Sequence, residues 1–206
     1  MTVPIYVDFD DVLCESARRL AEISADRYGK PVTFEDIYSF DLNKSFGLDE
    51  LEQLDLFTLF HDEEMLYSIP PIPNAIAGMQ KWAASGCRIE IVTGRPPVTH
   101  DISCAWLEAS EVPFDGITFV DKYNRGHQPV AGVRQHTLGE VPEEEFALAV
   151  DDSAEMIAFL AENTDWPLVL FDRPWNRSLD VDNLRDGVQR LVGWQALLSA
   201  HPAPGV

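Results

Sequence analysis

Short apolar runs recur along the chain, and polar residues follow each of them. The first run covers residues 3–7 and is apolar almost without interruption. This pattern is typical of a parallel strand that helices cover on both faces. Further runs predict strands at residues 88–92, 116–120, 146–150 and 167–171. The chain therefore contains five predicted strands.

Helical patterns fill the gaps between these strands. They cover residues 16–28, 74–85, 99–110, 153–162 and 181–198. Ser16, Asn74 and Ser153 stand at helix starts, where their side chains favour capping, and glycines follow the first two helices. Residues 123–145 are rich in glycine, proline and acidic residues and predict a loop. The alternation of strand and helix predicts an α/β fold with a doubly wound parallel sheet.

The region after the first strand differs from this alternation. It contains short helical patterns at residues 34–39 and 48–60, with aromatic residues at Phe34, Tyr38, Phe40, Phe46, Phe57, Phe60 and Tyr67. The proline cluster at residues 69–73 cannot lie inside a helix or a central strand. We therefore predict an α/β core of residues 1–15 and 73–206 and a small helical cap of residues 16–72. Most of the aromatic residues should form the core of the cap, and one or two could face a ligand.

The composition excludes some classes of partner. The 206 residues suffice for one full core with a small insertion. The formal charge is −20, from 35 acidic and 15 basic residues. Nucleic-acid polymers and anionic membranes both require a basic surface, so neither is expected as a partner. An anionic substrate would require a metal ion or a local cationic pocket. The oligomeric state stays open.

Cysteine usage and the N-terminal residues indicate a compartment. Cys14, Cys87 and Cys104 are widely spaced and form no CxxC motif, which favours a reducing environment. The chain starts with a strand pattern rather than a signal-peptide pattern, and no apolar segment approaches the length of a membrane span. The sequence therefore predicts a cytoplasmic protein.

Polar residues stand at the ends of all five predicted strands. They are Asp8, Thr93, Asp121 with Lys122, Asp151 with Asp152, and Asp172. Because ligands bind at the carboxyl ends of the strands in a doubly wound sheet, these side chains should converge on one rim.

This set of residues favours phosphoryl transfer. Aspartates that end a strand can be simple turn formers. However, Asp8 and Asp10 lie close enough to repel each other, and a divalent cation would offset the repulsion. Asp8 and one residue of the pair Asp151 and Asp152 could hold Mg²⁺, which also shares substrate phosphates. Thr93 and Lys122 could hold phosphate oxygens, a carboxylate could act as the nucleophile, and a second carboxyl could transfer protons.

The same motifs resemble those of the haloacid dehalogenase superfamily. DFDDVL at residues 8–13 resembles its first motif and IVTGR at residues 91–95 its second. Lys122 suits the third motif, and LAVDDS at residues 148–153 resembles the fourth. The resemblance extends over residues 1–15 and 73–180. It implies a Rossmann-like core with a helical cap that closes over the site.

The resemblance also implies roles for individual residues. Asp8 would be the nucleophile and a magnesium ligand. Asp10 would be the acid/base and would offer its backbone carbonyl to the metal. Asp152 would bind magnesium with support from Asp151. The substrate would be held by Thr93, Gly94, Arg95 and Lys122, with Thr93 and Lys122 also acting in catalysis.

Some assignments stay open within this resemblance. Asp11 replaces the usual glycine, which is tolerable because Asp can adopt unusual turns. The third-motif role could belong to Lys122 or to one of two nearby arginines, Arg125 and Arg134. Arg95 could reach a phosphate or bridge acidic neighbours. Asp10 is absent from the dehalogenases themselves, so its presence favours phosphatase or phosphomutase chemistry.

A second resemblance concerns the substrate. The short aromatic cap, the TGR turn and FDRPWNR at residues 171–177 are similar to bacterial relatives of the 5'(3')-deoxyribonucleotidases. This similarity implies a Mg²⁺-dependent phosphomonoesterase that forms an aspartyl-phosphate, with a small phosphorylated metabolite such as a nucleoside monophosphate as substrate. A phosphosugar mutase or another metabolite phosphatase is the alternative enzyme.

Two readings from other classes are less favoured. A phospho-accepting receiver domain would be shorter and would have its acidic pair and phosphorylated Asp in a different order. An inactive binding protein on this scaffold would not be expected to keep Asp8, Asp10, Thr93 and Asp152. The histidines are expected at the surface or in loops, and Cys14 as a buried thiol. Residues 175–177 could shape the site or cover the edge of the sheet.

Overall fold

In the computed structural model, which describes residues 2–39 and 42–206, seven strands form one parallel sheet. They are β1 Ile5–Val7, β2 Ile89–Thr93, β3 Gly116–Asp121, β4 Gln135–Thr137, β5 Leu148–Asp151, β6 Leu168–Phe171 and β7 Val188–Leu191. The strand order is β4-β3-β2-β1-β5-β6-β7, and each neighbouring pair is parallel. The predicted doubly wound parallel sheet is confirmed.

Helices connect and cover these strands. They are α1 Ser16–Tyr28, α2 Leu42–Phe46, α3 Glu50–Phe60, α4 Glu63–Tyr67, α5 Ala75–Ala84, α6 His100–Ala109, α7 Ala154–Asn163 and α8 Gly193–Ala200. Within the described residues, none of the helices has the length and apolar character needed to cross a membrane.

Two predicted segments were wrong, and both corrections concern the edges of the sheet. The helix predicted at residues 181–198 is instead a 3-10 turn, strand β7 and the shorter helix α8. Gly187, directly before β7, and Gly193, the first residue of α8, both adopt positive φ where these pieces begin. The loop predicted at residues 123–145 contains β4, followed by the 3-10 helix Leu138–Glu143. Both strands are short and only partly buried, so their sequences carry little apolar signal.

The alternation of side chains along β1 shows how both faces of the sheet are covered. Ile5 and Val7 belong to one buried cluster with Trp82 of α5 and Trp194 of α8. Tyr6 points to the other face, where it belongs to a cluster with Leu160 of α7. Each large apolar side chain buried in this way contributes about 1.5–3 kcal/mol of stabilisation. β1 is therefore an interior strand, as its continuous apolar sequence predicts.

A separate hydrophobic cluster lies around α1 and α3, and we call it the cap cluster. Its buried members among the described residues are Ala17, Leu20, Ala21, Ile37, Phe46, Leu48, Leu56 and Trp175. Met65 and Leu66 of α4 belong instead to the larger cluster that covers the sheet. The boundary of the cap at residue 72 stays a prediction.

The aromatic residues of the cap divide between its interior and its surface. Phe46 is a member of the cap cluster, and among the described residues four partly buried rings pack against it: Tyr28, Phe34, Phe57 and Phe60. Tyr38 and Tyr67 are exposed, so the predicted aromatic core excludes them. Phe40, which belongs to the same sequence pattern, lies outside the described residues.

Candidate active site

The strand order shows where a ligand site is expected in the sheet. The chain adds β2, β3 and β4 on one side of β1 and then β5, β6 and β7 on the other side. Ligands bind at such a switch point, at the carboxyl ends of the strands. Asp8 follows β1 directly and donates its N–H to the carbonyl of Val150 at 2.9 Å, while Asp151 ends β5. Two aspartates that are far apart in sequence thus become neighbours.

Three buried carboxylates meet at this point and form what we call the acidic cluster. Oxygens of Asp8, Asp151 and Asp152 lie within 4.8 Å of one another. Lys122, at the end of β3, places its Nζ 2.5 Å from Asp8 Oδ1 and 2.6 Å from Asp151 Oδ2. Its side chain is buried as well. When all four groups are ionised, the cluster has three negative charges and one positive charge.

The pKa shifts of Asp8, Asp152 and Lys122 reflect burial and the charges around each group. Burial raises the pKa of Asp8 well above its ordinary value, and although Lys122 opposes this shift, repulsion from the other two carboxylates adds to it. Burial raises the pKa of Asp152 too, and repulsion from Asp11 and Asp151 adds to that shift. Burial would lower the pKa of Lys122, but Asp151 and Asp8 outweigh it and raise the pKa.

The donor set of the acidic cluster fits a hard divalent cation. Its ligand atoms are carboxylate oxygens, which Mg²⁺ prefers, and a cation would offset the repulsion between the carboxylates. The two oxygens of Asp151 already accept hydrogen bonds: Oδ2 from the Tyr6 hydroxyl at 2.6 Å and from Lys122, and Oδ1 from the N–H of Ser153 at 2.8 Å. Asp8 and Asp152, which unlike Asp151 line the cavity, could hold such a cation.

Asp10 faces a different partner. Arg95 donates from Nε to Asp10 Oδ2 at 2.9 Å and from Nη2 to Oδ1 at 2.7 Å. Its Nη1 donates to Ser103, and its guanidinium lies 3.9 Å from the centre of the Phe9 ring. Burial would raise the pKa of Asp10, but Arg95 and a hydrogen bond from Ser16 hold it below its ordinary value. Asp10 therefore has an ion-pair partner outside the acidic cluster.

This geometry bears on two sequence assignments. Arg95 bridges an acidic neighbour, which was one of the alternatives left open, and it is only 3% exposed. Its assignment to substrate phosphate stays a prediction. The carboxylate of Asp10 is engaged with Arg95, and metal binding through its backbone carbonyl also stays a prediction.

Thr93 and Gly94 form the turn after β2. The Thr93 side chain is fully buried, and its Oγ1 accepts the N–H of Arg95 at 3.1 Å. Gly94 lines the cavity, and a Cβ at this position would lie 3.3 Å from Lys122 Cδ and 3.4 Å from Tyr123 Cε2. Glycine therefore leaves room for Lys122 to reach Asp8.

Asp11 occupies the position where the resemblance expects glycine. Its φ is +58°, so the expected unusual turn is confirmed. Its carboxylate accepts the N–H of Ala17 in the first turn of α1, and its carbonyl accepts Arg173 Nε at 2.8 Å. Burial raises the pKa of Asp11 to about 8, against the opposing effects of Arg173 and Ala17. The residue thus stabilises the loop between β1 and α1.

The 3-10 turn Pro174–Asn176 supports the acidic cluster. Trp175 Nε1 donates to Asp152 Oδ2 at 2.8 Å. Asn176 Nδ2 donates to the carbonyls of Asp152 and Phe171, both at 2.8 Å. Of the two roles left open for residues 175–177, the structure places Trp175 and Asn176 against the site.

A cavity of about 420 Å³ opens above the acidic cluster, between the sheet and the cap. Its lining includes Asp8, Asp10, Gly94, Arg95, Lys122 and Asp152 from the core and Leu20, Phe57, Phe60 and His61 from residues 16–72. Thr93 is not among the lining residues. The cavity thus combines a charged floor with an aromatic wall.

Of the three candidate cations near the third motif, Lys122 contacts Asp8. Arg125 lines the cavity near the cap, with its guanidinium 4.8 Å from the Phe57 ring centre and 4.7 Å from that of Tyr123. Arg134 instead pairs with Glu90 and Glu144. The third-motif role of Lys122 stays a prediction that this contact favours.

Some site residues were missed by sequence reasoning. Tyr6 interrupts an aliphatic strand, and a buried tyrosine hydroxyl requires a partner, so its position before Asp8 was a usable signal. His61 lies in the turn after α3, as expected for a loop histidine, but it also lines the cavity, and burial lowers its pKa. Its position at the end of α3 is a consequence of packing and left no sequence signal. Cys14 is a buried free thiol, as predicted.

Comparisons with known proteins agree with this geometry. A family of 5' nucleotidases, described as deoxy (pyrimidine), cytosolic type C proteins, matches residues 1–128. A presumed nucleotidase of Halalkalibacterium halodurans is 23% identical over 171 residues, which is 83% of this chain and 80% of that protein.

Solved structures show the same fold. A haloacid dehalogenase family hydrolase of Deinococcus radiodurans, solved with phosphate and sodium, has a TM-score of 0.60 and 17% identity over 98% of this chain and 96% of that one. A predicted phosphatase of Clostridium acetobutylicum has a TM-score of 0.60 and 12% identity over 97% and 98% of the two chains. Since the family match covers more than half of the chain, the protein belongs to the 5' nucleotidase type C family and is a hydrolase of phosphoric monoesters, and its fold is that of the haloacid dehalogenase family hydrolase of Deinococcus radiodurans.

Proposed function

We propose that the protein is a Mg²⁺-dependent phosphatase that transfers the phosphoryl group of a nucleoside monophosphate to Asp8 and then to water. One observation carries the proposal: Asp8 and Asp152 of the acidic cluster line the same cavity as Lys122 and the aromatic rings of the cap. The floor suits a phosphate with its metal ion, and the wall suits a flat ring.

Asp8 is the proposed nucleophile. Its carboxylate faces the cavity, and Lys122 Nζ holds one of its oxygens at 2.5 Å. An Asp8 oxygen would form a bond to phosphorus while the bond from phosphorus to the ester oxygen breaks. Lys122 is placed to balance negative charge on the phosphoryl oxygens, and Asp151 holds Lys122 in position.

Asp8 and Asp152 would hold the Mg²⁺ ion. When bound there, Mg²⁺ supplies positive charge that draws the phosphate towards Asp8 and neutralises its oxygens. The phosphate and sodium in the Deinococcus hydrolase support an anion site and a cation site in this fold.

Asp10 is the proposed acid and base. It would take up the proton of the monoanionic substrate phosphate, pass it to the leaving ester oxygen, and then take a proton from the water that attacks the phosphoryl group on Asp8. Arg95 keeps Asp10 in a fixed orientation through two hydrogen bonds. Because Arg95 also holds the pKa of Asp10 low, the carboxylate is ready to act as the base in the second step.

The cap wall supports a nucleotide as the substrate. Phe57, Phe60 and His61 present rings to the cavity, and Arg125 stacks on Phe57 at 4.8 Å. Ring stacking of a base on an aromatic side chain contributes about 1–3 kcal/mol. Phe57→Leu should therefore raise KM for nucleoside monophosphates while it leaves KM for a small aliphatic phosphate nearly unchanged.

A substrate screen tests the proposal. Release of inorganic phosphate would be measured with deoxynucleoside monophosphates, sugar phosphates and p-nitrophenyl phosphate, in Mg²⁺ and in excess EDTA. We expect the highest kcat/KM with a nucleoside monophosphate and no turnover in EDTA. If a sugar phosphate is the best substrate, the assignment of a nucleotide substrate is wrong. If the protein keeps full activity in EDTA, the proposed requirement for Mg²⁺ is wrong.

Asp8→Asn tests the covalent step. We expect this variant to fold like the wild type but to lose turnover of p-nitrophenyl phosphate. Acid quenching followed by intact-mass measurement should show a phosphoryl adduct on the wild type and none on the variant. If Asp8→Asn keeps nearly full activity, Asp8 is not the nucleophile.

A further inference from the structure

Trp175 belongs to two parts of the molecule at once. It lies just beyond β6 in the 3-10 turn Pro174–Asn176, and it is 8% exposed. Its indole Nε1–H donates to Asp152 Oδ2 at 2.8 Å. A single donor on a rigid ring therefore restrains one oxygen of a carboxylate in the acidic cluster.

The rest of the same ring packs into the cap cluster. Trp175 is a buried member of that cluster together with Leu20 of α1 and Leu56 of α3. The Phe34 ring meets it edge-on, with the two ring centres 5.6 Å apart. A displacement of the cap would therefore change the packing of the ring that contacts Asp152.

Bonds on both sides fix the position of this turn. Asn176 donates to the carbonyls of Asp152 and Phe171, and Arg190 Nη1 donates to Asn176 Oδ1 at 2.6 Å. Arg177 pairs with Glu35 in the cap region at 2.8 Å. The turn that carries the indole is thus anchored to the sheet by the Asn176 side chain, and the ring itself and the ion pair of Arg177 connect it to the cap.

We propose that Trp175 is a positioning residue that orients Asp152 for a divalent cation and makes the binding of that cation depend on the position of the cap. The proposal rests on the proposed function, because it assumes that Asp152 holds the ion. Hydrogen bonds to metal-binding carboxylates fix their orientation, and their loss typically weakens metal binding about 10–100-fold. Since the ring that supplies this bond is also packed in the cap, cation binding should in turn restrain the cap.

Trp175→Phe separates the two contacts, because it retains most of the ring and removes the N–H. Titration calorimetry of the full chain with MgCl₂ would measure Kd without any turnover. We expect Kd to rise about tenfold or more. Trp166→Phe is the matched control, since Trp166 lies in the cluster with Leu160 on the other side of the sheet, and its Kd should equal that of the wild type. A Trp175→Phe protein that binds Mg²⁺ as tightly as the wild type overturns the proposal.

Hydrogen exchange tests the connection to the cap. In the wild type, saturating Mg²⁺ should slow amide exchange in peptides from residues 44–60, and in Trp175→Phe the same saturation should slow it much less. Equal slowing in both proteins would show that the indole does not connect the ion to the cap. If the wild type itself neither binds Mg²⁺ nor changes its exchange, the metal assignment of the proposed function fails instead.

Phe34→Leu provides a second route if Trp175→Phe folds poorly. This variant weakens the packing of the cap against the Trp175 ring and keeps the indole N–H. We expect weaker Mg²⁺ binding, although Phe34 is not part of the acidic cluster. An unchanged Kd in Phe34→Leu, with exchange of the cap unaltered, would contradict the dependence on cap position.

Discussion

Asp152→Asn removes one negative charge from the acidic cluster and keeps the size of the side chain. In the wild type, oxygens of three buried carboxylates lie within 4.8 Å of one another. Two unit charges at that distance repel each other by about 3 kcal/mol at an effective dielectric constant near 20. Asp152 has two such neighbours, while Lys122 and partial protonation offset much of the repulsion. We therefore expect the metal-free variant to be more stable than the wild type by about 1–3 kcal/mol.

Thermal unfolding followed by circular dichroism measures this difference. In EDTA, the variant should unfold roughly 2–12 °C above the wild type, because about 1 kcal/mol corresponds to 2–4 °C in a chain of this size. With Mg²⁺ at a hundred times its Kd, the wild type should gain about 2.7 kcal/mol, whereas the variant should gain little. The substitution should thus stabilise the protein and abolish its response to the ion.

The pH dependence of stability follows from the same charges. Burial raises the pKa of Asp8 and Asp152, so above about pH 4 the folded state binds more protons than the unfolded state. The contribution of Asp8 and Asp152 to the stability of the metal-free wild type should therefore be greatest at low pH and should fall as the pH rises. Asp11, whose pKa is raised to about 8, extends the loss to about pH 8. Asp152→Asn should make this fall less steep.

Asp165→Asn is the control for the change in charge. Asp165 is exposed, so its replacement should leave the unfolding temperature nearly unchanged with and without Mg²⁺. The reasoning about buried repulsion is refuted if metal-free Asp152→Asn is less stable than the wild type. It is also refuted if the variant keeps the full Mg²⁺-dependent rise in unfolding temperature.

Other substitutions test single contacts. Asp10→Asn should lower kcat about 10²–10⁴-fold while calorimetry shows nearly unchanged Mg²⁺ binding, and loss of binding would contradict its separation from the acidic cluster. Gly94→Ala should push Lys122 by a few tenths of an ångström and lower kcat roughly tenfold, with little change in unfolding temperature. An unchanged kcat would contradict the close packing of Lys122 against Gly94. Gly78→Ala should destabilise the fold by about 1–3 kcal/mol in urea unfolding, because its Cβ would lie 2.4 Å from Trp194 Cε3, and a neutral effect would contradict that packing.

The floor of the site was accessible to sequence reasoning because parallel strands end at one edge. A buried apolar run followed by Asp8, and a second followed by Asp151 and Asp152, implied that these carboxylates meet, and the structure brings them within 4.8 Å. Lys122 followed from the same argument, since it comes directly after a third strand. For these residues, the sequence pattern is enough to predict that the side chains meet, because every strand of a parallel sheet ends at the same edge.

The edges of the sheet were not accessible in the same way. β4 and β7 are only partly buried, so few of their positions require apolar residues. The pattern of residues 181–198 is compatible with an amphipathic helix, and only the pairing of β7 with β6 shows that part of it is a strand. Strand pairing is a long-range interaction, and local sequence specifies it weakly for short edge strands.

The sequence by itself determined the succession of the five interior strands and the acidic residues that meet at one end of the sheet, because burial and chain direction act on local patterns. Only the tertiary structure decided which partner each charged group has. Arg95 pairs with Asp10 and Trp175 with Asp152 across 85 and 23 positions of the chain, respectively. Such contacts depend on side-chain orientation and on the packing of the cap against the core, and a one-dimensional pattern contains neither.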